Sequence, residues 1–197
     1  MKKYLNLNTV YIIAAIIAVG FLFVPRVIEI VNLRVQGISY VANDVENYHN
    51  NAHPIEGVYT IEIDLNQLEN NEGKVLYDGD KETQIYVSKV IIHNEEDLEV
   101  SFRSKGNYSL GGATLVSGVK HESSKNGFTK SFQAESKATY KGDTYKLSPS
   151  GSSGLNYHNG DEFGFYFTFP DEIDLEEESR VDVTVTNLYL NLWAKKR

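Results

Sequence analysis

Cysteine is missing from the 197 residues of this chain, which removes both a disulfide framework and a thiolate zinc site. Proline is scarce, with 4 residues, while apolar residues make up 41% and charged ones 23%. That balance argues against a disordered or collagen-like chain and for one globular domain with some length to spare. Basic charge is short as well. A formal net charge of -8 argues against nucleic acid as a partner, because phosphate recognition calls for a basic face. No internal repeat stands out, no helical crossover separates the later apolar runs, and no second run of membrane-spanning length follows the first.

What is present begins at the N-terminus. Met1-Lys2-Lys3 precede a segment from Tyr4 to Val24 without a charged side chain, and its core from Val10 to Val24 is densely apolar. At about 1.5 Å per residue this segment spans roughly 31 Å, close to the hydrocarbon thickness of a bilayer. A signal peptidase would accept Ala18-Val19-Gly20, but a cut there leaves Phe21-Leu22-Phe23-Val24 as a bare apolar terminus. A core helix of a soluble protein would show a polar face, and this run has none. Residues 1–25 are therefore read as an uncleaved transmembrane anchor, and the chain as integral to the cell membrane with one span. Lys2 and Lys3 favour a cytoplasmic N-terminus, partly opposed by Arg26 and Arg34. Residues 1–36 carry +3, from those four cations against Glu29, and the remaining chain carries -11. The acidic C-terminal domain is expected on the extracytoplasmic side.

Past Pro25 the pattern stays helical. Ile28, Val31, Val35, Ile38, Val41, Val45 and Tyr48 recur at spacings of three and four, one stripe of an amphipathic helix, with Glu29, Asn32, Arg34, Gln36, Ser39 and Asn43 between them. Residues 26–54 read as a juxtamembrane helical stalk ending in the Asn- and His-rich stretch before Pro54, weakened at Gly37. Two readings of the stripe stand. It packs on the domain that follows, or it faces a partner helix, from another protein or a second copy.

From Gly57 the period changes to two. Tyr59, Ile61, Ile63 and Leu65 alternate with polar residues, and so do Leu98, Val100 and Phe102; Phe132, Ala134, Ala138 and Tyr140 share one face. Ile85 to Ile92 is apolar on both faces, as a central strand would be. Phe163, Phe165, Phe167 and Phe169 make a four-phenylalanine face. Val181, Val183 and Val185 have the opposite parity to Leu188, Leu190 and Leu192, which calls for a bulge near Thr186-Asn187 or a strand crossing between sheets. Turn signals fall at Asn70–Gly73, Asp78-Gly79-Asp80, Lys141-Gly142-Asp143 and Asn159-Gly160-Asp161, and Ser148–Gly154 reads as a flexible loop. The fold expected is mainly β. Seven to nine antiparallel strands over residues 55–197 would form a sandwich or partly closed barrel, preceded by the single transmembrane helix and its stalk.

Few residues suggest chemistry. His49 and His53 are four apart, as zinc ligands on a helix would be, but no third ligand is indicated. His93, His121 and His158 stand singly and read as surface or strand-end residues. The acidic run Asp171–Glu178, and Asp78, Asp80 and Glu82, lack the spacing and glycine of a calcium loop. Ser152 and Ser153 do not complete a nucleophile elbow. No catalytic residue, metal ligand or cofactor site is assigned. Tyr166, Tyr189 and Trp193 alternate with core residues and are expected on the outer sheet face, where they would serve as an aromatic binding face or lie under a second layer.

The order of features resembles the N-terminal part of the CreD family of bacterial inner-membrane proteins. The likeness rests on the anchor ending Gly20-Phe21-Leu22-Phe23-Val24-Pro25, the helical run Arg26–Val35, a strand opening Gly57-Val58-Tyr59, and the two alternating strands over Gly127–Leu147. That family continues into several membrane helices that have no counterpart in these residues. The resemblance implies a role in the envelope-stress response and names no catalytic residue. The functional expectation is an anchored β domain acting as a binding or assembly module in the cell envelope. The alternative is a surface hydrolase acting on envelope glycans through carboxylates that the fold brings together.

Overall fold

A computed structural model describes residues 6–93, 97–124, 127–169 and 179–197. The expected run 171–178 lies outside them. A single helix, α1 (Leu7–Gln36), carries the apolar segment, with Pro25 inside it and the Asn6 side chain capping its start. Its most apolar stretch is entirely unburied, and it is long and apolar enough to cross a membrane. Gly37 ends it with φ +61°, and a short α2 (Ile38–Asn43) follows.

Among the described residues the rest is β structure: β1 (Tyr48–Ile55), β2 (Tyr59–Asp64), β3 (Val75–Asp78), β4 (Gln84–His93), β5 (Asp97–Lys105), β6 (Asn107–Ser109), β7 (Gly112–Ser117), β8 (Val119–Ser124), β9 (Gly127–Phe132), β10 (Glu135–Tyr140), β11 (Asp143–Lys146), β12 (Ser148–Ser152), β13 (Glu162–Thr168), β14 (Arg180–Thr186) and β15 (Leu188–Lys195). The sheets run β12-β13-β5-β4-β3, β11-β10-β14-β2 and β1-β15-β7-β6, with β8-β9 as a separate hairpin. Among the described residues all pairs are antiparallel and no sheet closes into a barrel. Of the two expected architectures, the sandwich-like one is present, with more and shorter strands than the alternation alone marks.

The main core lies between the first two sheets. Ile85, Val87, Leu98, Val100, Phe102, Phe163, Phe165 and Phe167 point in from one side, and Ile61, Ile63, Ala138, Val181, Val183 and Val185 from the other. The Phe face is buried throughout, with Phe102 stacked on Phe163 at 5.6 Å and Phe167 edge-on to Phe169 at 4.5 Å. A register shift between Val87 and Lys89 explains the doubly apolar look of β4. Ile85 and Val87 point inward before the bulge and Val90 after it, so the strand changes parity rather than burying both faces. The parity break after β14 is a crossing between sheets. Asn187, at φ +57°, turns the chain from the sheet of β14 into the sheet of β15. Asn tolerates that left-handed conformation better than most residues.

Two expectations need correction. Ser148–Gly154 is not simply a loop, because Ser148–Ser152 forms the edge strand β12 on β13. The stalk does not stay helical to residue 54. It ends at Asn43, where the Asp44 carboxylate accepts bonds from the backbone and side-chain amides of Asn47, and Tyr48–Ile55 then pairs along its whole length with β15. Pro54 is tolerated because β1 is an edge strand.

Candidate functional site

The junction between helix and sheets decides the fate of the seven-residue stripe. Ile38, Val41 and Tyr48 are buried in a second apolar cluster with Leu33, Ala42, Ala113, Leu115 and Trp193, and Val45 is half-buried in the turn before β1. Burial pushes the Tyr48 hydroxyl above its ordinary range, with Tyr40 and Asp44 adding to the effect, and the hydroxyl donates to the Leu110 carbonyl at 3.0 Å. Ile28, Val31 and Val35 remain on the surface, with 53%, 51% and 71% of their area exposed. The structure brings four stripe residues to the domain and leaves three outside.

Gly37 causes the split. Its backbone passes against the 155–160 loop, where a Cβ would lie 1.6 Å from the His158 carbonyl oxygen, and Ile38 N–H donates to that oxygen at 2.9 Å. Ser39 donates to the Leu155 carbonyl, and the His158 ring meets the Arg34 carbonyl. Leu33 is the α1 residue turned into the cluster. Val31 and Val35 lie two positions away on either side, about 200° around the helix, and so point away from the domain.

The aromatic trio does not assemble. Tyr166 lies on the outer face of the five-stranded sheet beside His93, with ring centroids 6.5 Å apart. Tyr189 and Trp193 belong to β15 in a different sheet, and Trp193 is buried in the second cluster. Near Tyr166 a polar groove of about 230 Å³ runs over Glu99, Ser101, Ser150, Ser153, Glu162 and Gly164. Glu162 accepts from Arg103 and from the Tyr157 hydroxyl, each at 3.1 Å, while the guanidinium lies 3.9 Å over the Tyr157 ring. Glu99 meets His93 at 3.3 Å. Glu162 pairs with Arg103 across the strands, four residues along β5 from Glu99, so the backbone positions are roughly 13 Å apart. Both carboxylates are already engaged, Glu162 by Arg103 and Tyr157 and Glu99 by His93.

A buried polar network escaped the sequence reading. His121, Asp161, Ser117 and Asn191 are each fully buried. His121 Nε2 donates to Asp161 Oδ2 at 2.6 Å, and Ser117 Oγ donates to both carboxylate oxygens at 2.9 and 2.7 Å. Asn191 accepts from the His121 backbone amide at 2.8 Å and donates to the Val119 carbonyl at 3.0 Å. The imidazole stacks on Phe128 at 5.4 Å and lies near Trp193. Histidine, aspartate and serine are all here, but serine bonds to aspartate rather than to histidine, and water has no access. The arrangement therefore ties β7, β8, β15 and the 159–161 turn together and does not activate a nucleophile. His121 is a core residue rather than a surface one, and its parity with inward-facing Val119 was the available signal.

The remaining candidates stay apart. His49 and His53 are exposed on β1, and no group of three or more metal-ligating side chains forms among the described residues. Ser153 is used structurally, accepting from the Glu162 amide at 2.9 Å. No protein-family model, curated protein or solved structure matches the chain.

Proposed function

We propose that this chain is a binding or assembly module of the cell envelope, held in the membrane by one span, with its β domain on the extracytoplasmic side, and acting by association. The observation that carries this reading is the exposed apolar strip on α1. Its 30 residues extend about 45 Å, against the roughly 30 Å of a hydrocarbon core. Val24, Ile28, Val31 and Val35 follow one another at spacings of four, three and four, the register in which helices pack together. The strip continues the apolar surface of the span on the side turned from the domain, where a second apolar helix would cover it.

The absence of cysteine makes the test direct. A Val31→Cys chain, oxidised in its own membranes, is expected to give a cross-linked species, either with a second copy or with another protein. Val31→Asp with Val35→Asp should abolish the association and leave Trp193 emission unchanged. Recovery of the full-length chain from mild detergent as a monomer with no co-purifying protein would overturn the assembly role. Full-length chain in the soluble fraction would overturn the anchor, and a domain resistant to protease on intact spheroplasts would overturn the orientation.

A further inference from the structure

Besides the strip, the base of the domain gathers cations that are far apart in sequence. Lys195 Nζ lies 3.8 Å from the Glu29 carboxylate, which also bonds Arg26 at 3.1 Å. Lys196 is fixed beside them, its Nζ donating to the Val45 carbonyl at 2.8 Å and its amide to the Asn47 carbonyl at 2.7 Å. Residues 194–197 are exposed. The end of β15 therefore returns the Lys195-Lys196-Arg197 triplet to the helix one turn beyond Pro25. Glu29 is five residues past Val24, about 7.5 Å along the axis, which is the depth of a headgroup layer beside a core of about 30 Å.

Charge is distributed to match. Arg26, Arg34, Lys195, Lys196 and Arg197 outnumber Glu29, Asp44 and Glu46 at this end and leave it at +2, while all other residues except Lys2 and Lys3 together carry -12. An anionic surface would repel most of the domain and attract only its base. We propose that Arg26, Lys195, Lys196 and Arg197 form a basic collar that binds the phosphates of anionic lipid headgroups around the emerging helix and holds the domain upright on the bilayer. This contact rests on the reading of α1 as a membrane span. It is a property of the fold, since three of the four cations lie more than 160 residues from the span.

The test uses the full-length chain with a fluorophore on Ser109→Cys, an exposed position in the row that joins β6 and β7 to Ala194 of β15. The protein is reconstituted into vesicles of phosphatidylcholine alone, or with one-third phosphatidylglycerol, each carrying a headgroup-linked quencher. Quenching is expected to be stronger in the anionic vesicles and to fall in high salt. The ratio of close to raised domains should drop about fivefold for each cation removed. Lys195→Glu/Lys196→Glu/Arg197→Glu should erase the difference between lipids; Lys196→Gln/Arg197→Gln, which keeps the Lys195–Glu29 contact, should reduce it. Trp193 emission checks that each variant is folded. Equal quenching in both vesicles, or a triple variant that behaves like its parent, would overturn the collar. An alkaline carbonate wash separates the two readings: chain that stays in the vesicles with composition-independent quenching sinks the collar alone, and chain that washes out sinks the span as well.

Discussion

The two apolar clusters of this domain are built on different principles. The main core is filled by alternate residues of neighbouring strands, and, β4 with its bulge apart, each strand's own period declares its inward face. The smaller cluster draws on the end of α1, on α2, on the start of β1, on Ala113 and Leu115 of β7 and on Trp193 of β15. Its members share no local period. Along its border with the main core runs the His121–Asp161–Ser117–Asn191 network, polar and fully buried. One cluster is held by area removed from water, and the other by a helix end docked onto sheets through backbone bonds and a dry polar seam.

The largest effect should separate the two. Phe165→Ala empties a fully buried position that touches Phe102 and Phe163, and is expected to cost about 3–5 kcal/mol and unfold the whole domain together. Ile38→Ala, equally buried, is expected to cost about 2–5 kcal/mol and act mainly at the helix junction. Amide hydrogen exchange on the full chain distinguishes them. Protection in β13 should collapse in the first variant and persist in the second while α2 and β1 open. Equal loss of β13 protection in both would show a single cooperative core and end the comparison.

A somewhat smaller effect probes the seam. Asp161→Ala leaves the Ser117 hydroxyl and the His121 Nε2–H without an acceptor in a dry interior, at an expected cost of about 3 kcal/mol. Removing both partners with His121→Phe/Asp161→Leu should cost less than the single change, because no orphaned donor then remains on the ring. Thermal unfolding followed by Trp193 fluorescence measures both. A double variant less stable than Asp161→Ala would mean that the bond itself, rather than the penalty of leaving it unmade, dominates.

The same contrast accounts for what was legible beforehand. Strands β2, β5, β13 and β14 could be read from alternation because each has one buried face, and the parity break at Asn187 was visible as a break. β12 was hidden because Ser-Pro-Ser-Gly-Ser pairs through its backbone against an available edge, with no apolar face to announce it. The stripe from Ile28 to Tyr48 was periodic but misleading. Gly37 looked like a mere weakness in one helix, whereas the close approach of the 155–160 loop requires a residue without a side chain there. The seam was out of reach for a different reason. Asp161 sits in an Asn-Gly-Asp turn, 40 residues from the imidazole it holds, and the polarity of that turn is what any surface turn would show.

The smallest effect lies on the surface, where a hydrogen bond is exchanged with water rather than protected from it. On the outer sheet face the Tyr166 hydroxyl donates to Asp97, and this bond, helped by Thr168 and by His93 nearby, holds the Asp97 carboxyl below its usual range. The same bond, with some burial, raises the Tyr166 hydroxyl above its own. The signs follow from linkage. A depressed carboxyl adds stability above its unfolded value, near pH 4, and that stability is lost as the pH falls through the folded value. A raised phenol adds stability below its unfolded value, near pH 10, which is lost as the pH rises through the folded one. One exposed bond therefore widens the stable range slightly at both ends. Tyr166→Phe should move the acid unfolding midpoint up and the alkaline midpoint down by a small amount, and leave stability at pH 7 nearly unchanged apart from the bond itself. Denaturation by pH, followed by circular dichroism, would show it. A shift at one end only would mean that Asp97 and Tyr166 owe their perturbations to different neighbours, and no shift at either end would remove the bond from the account.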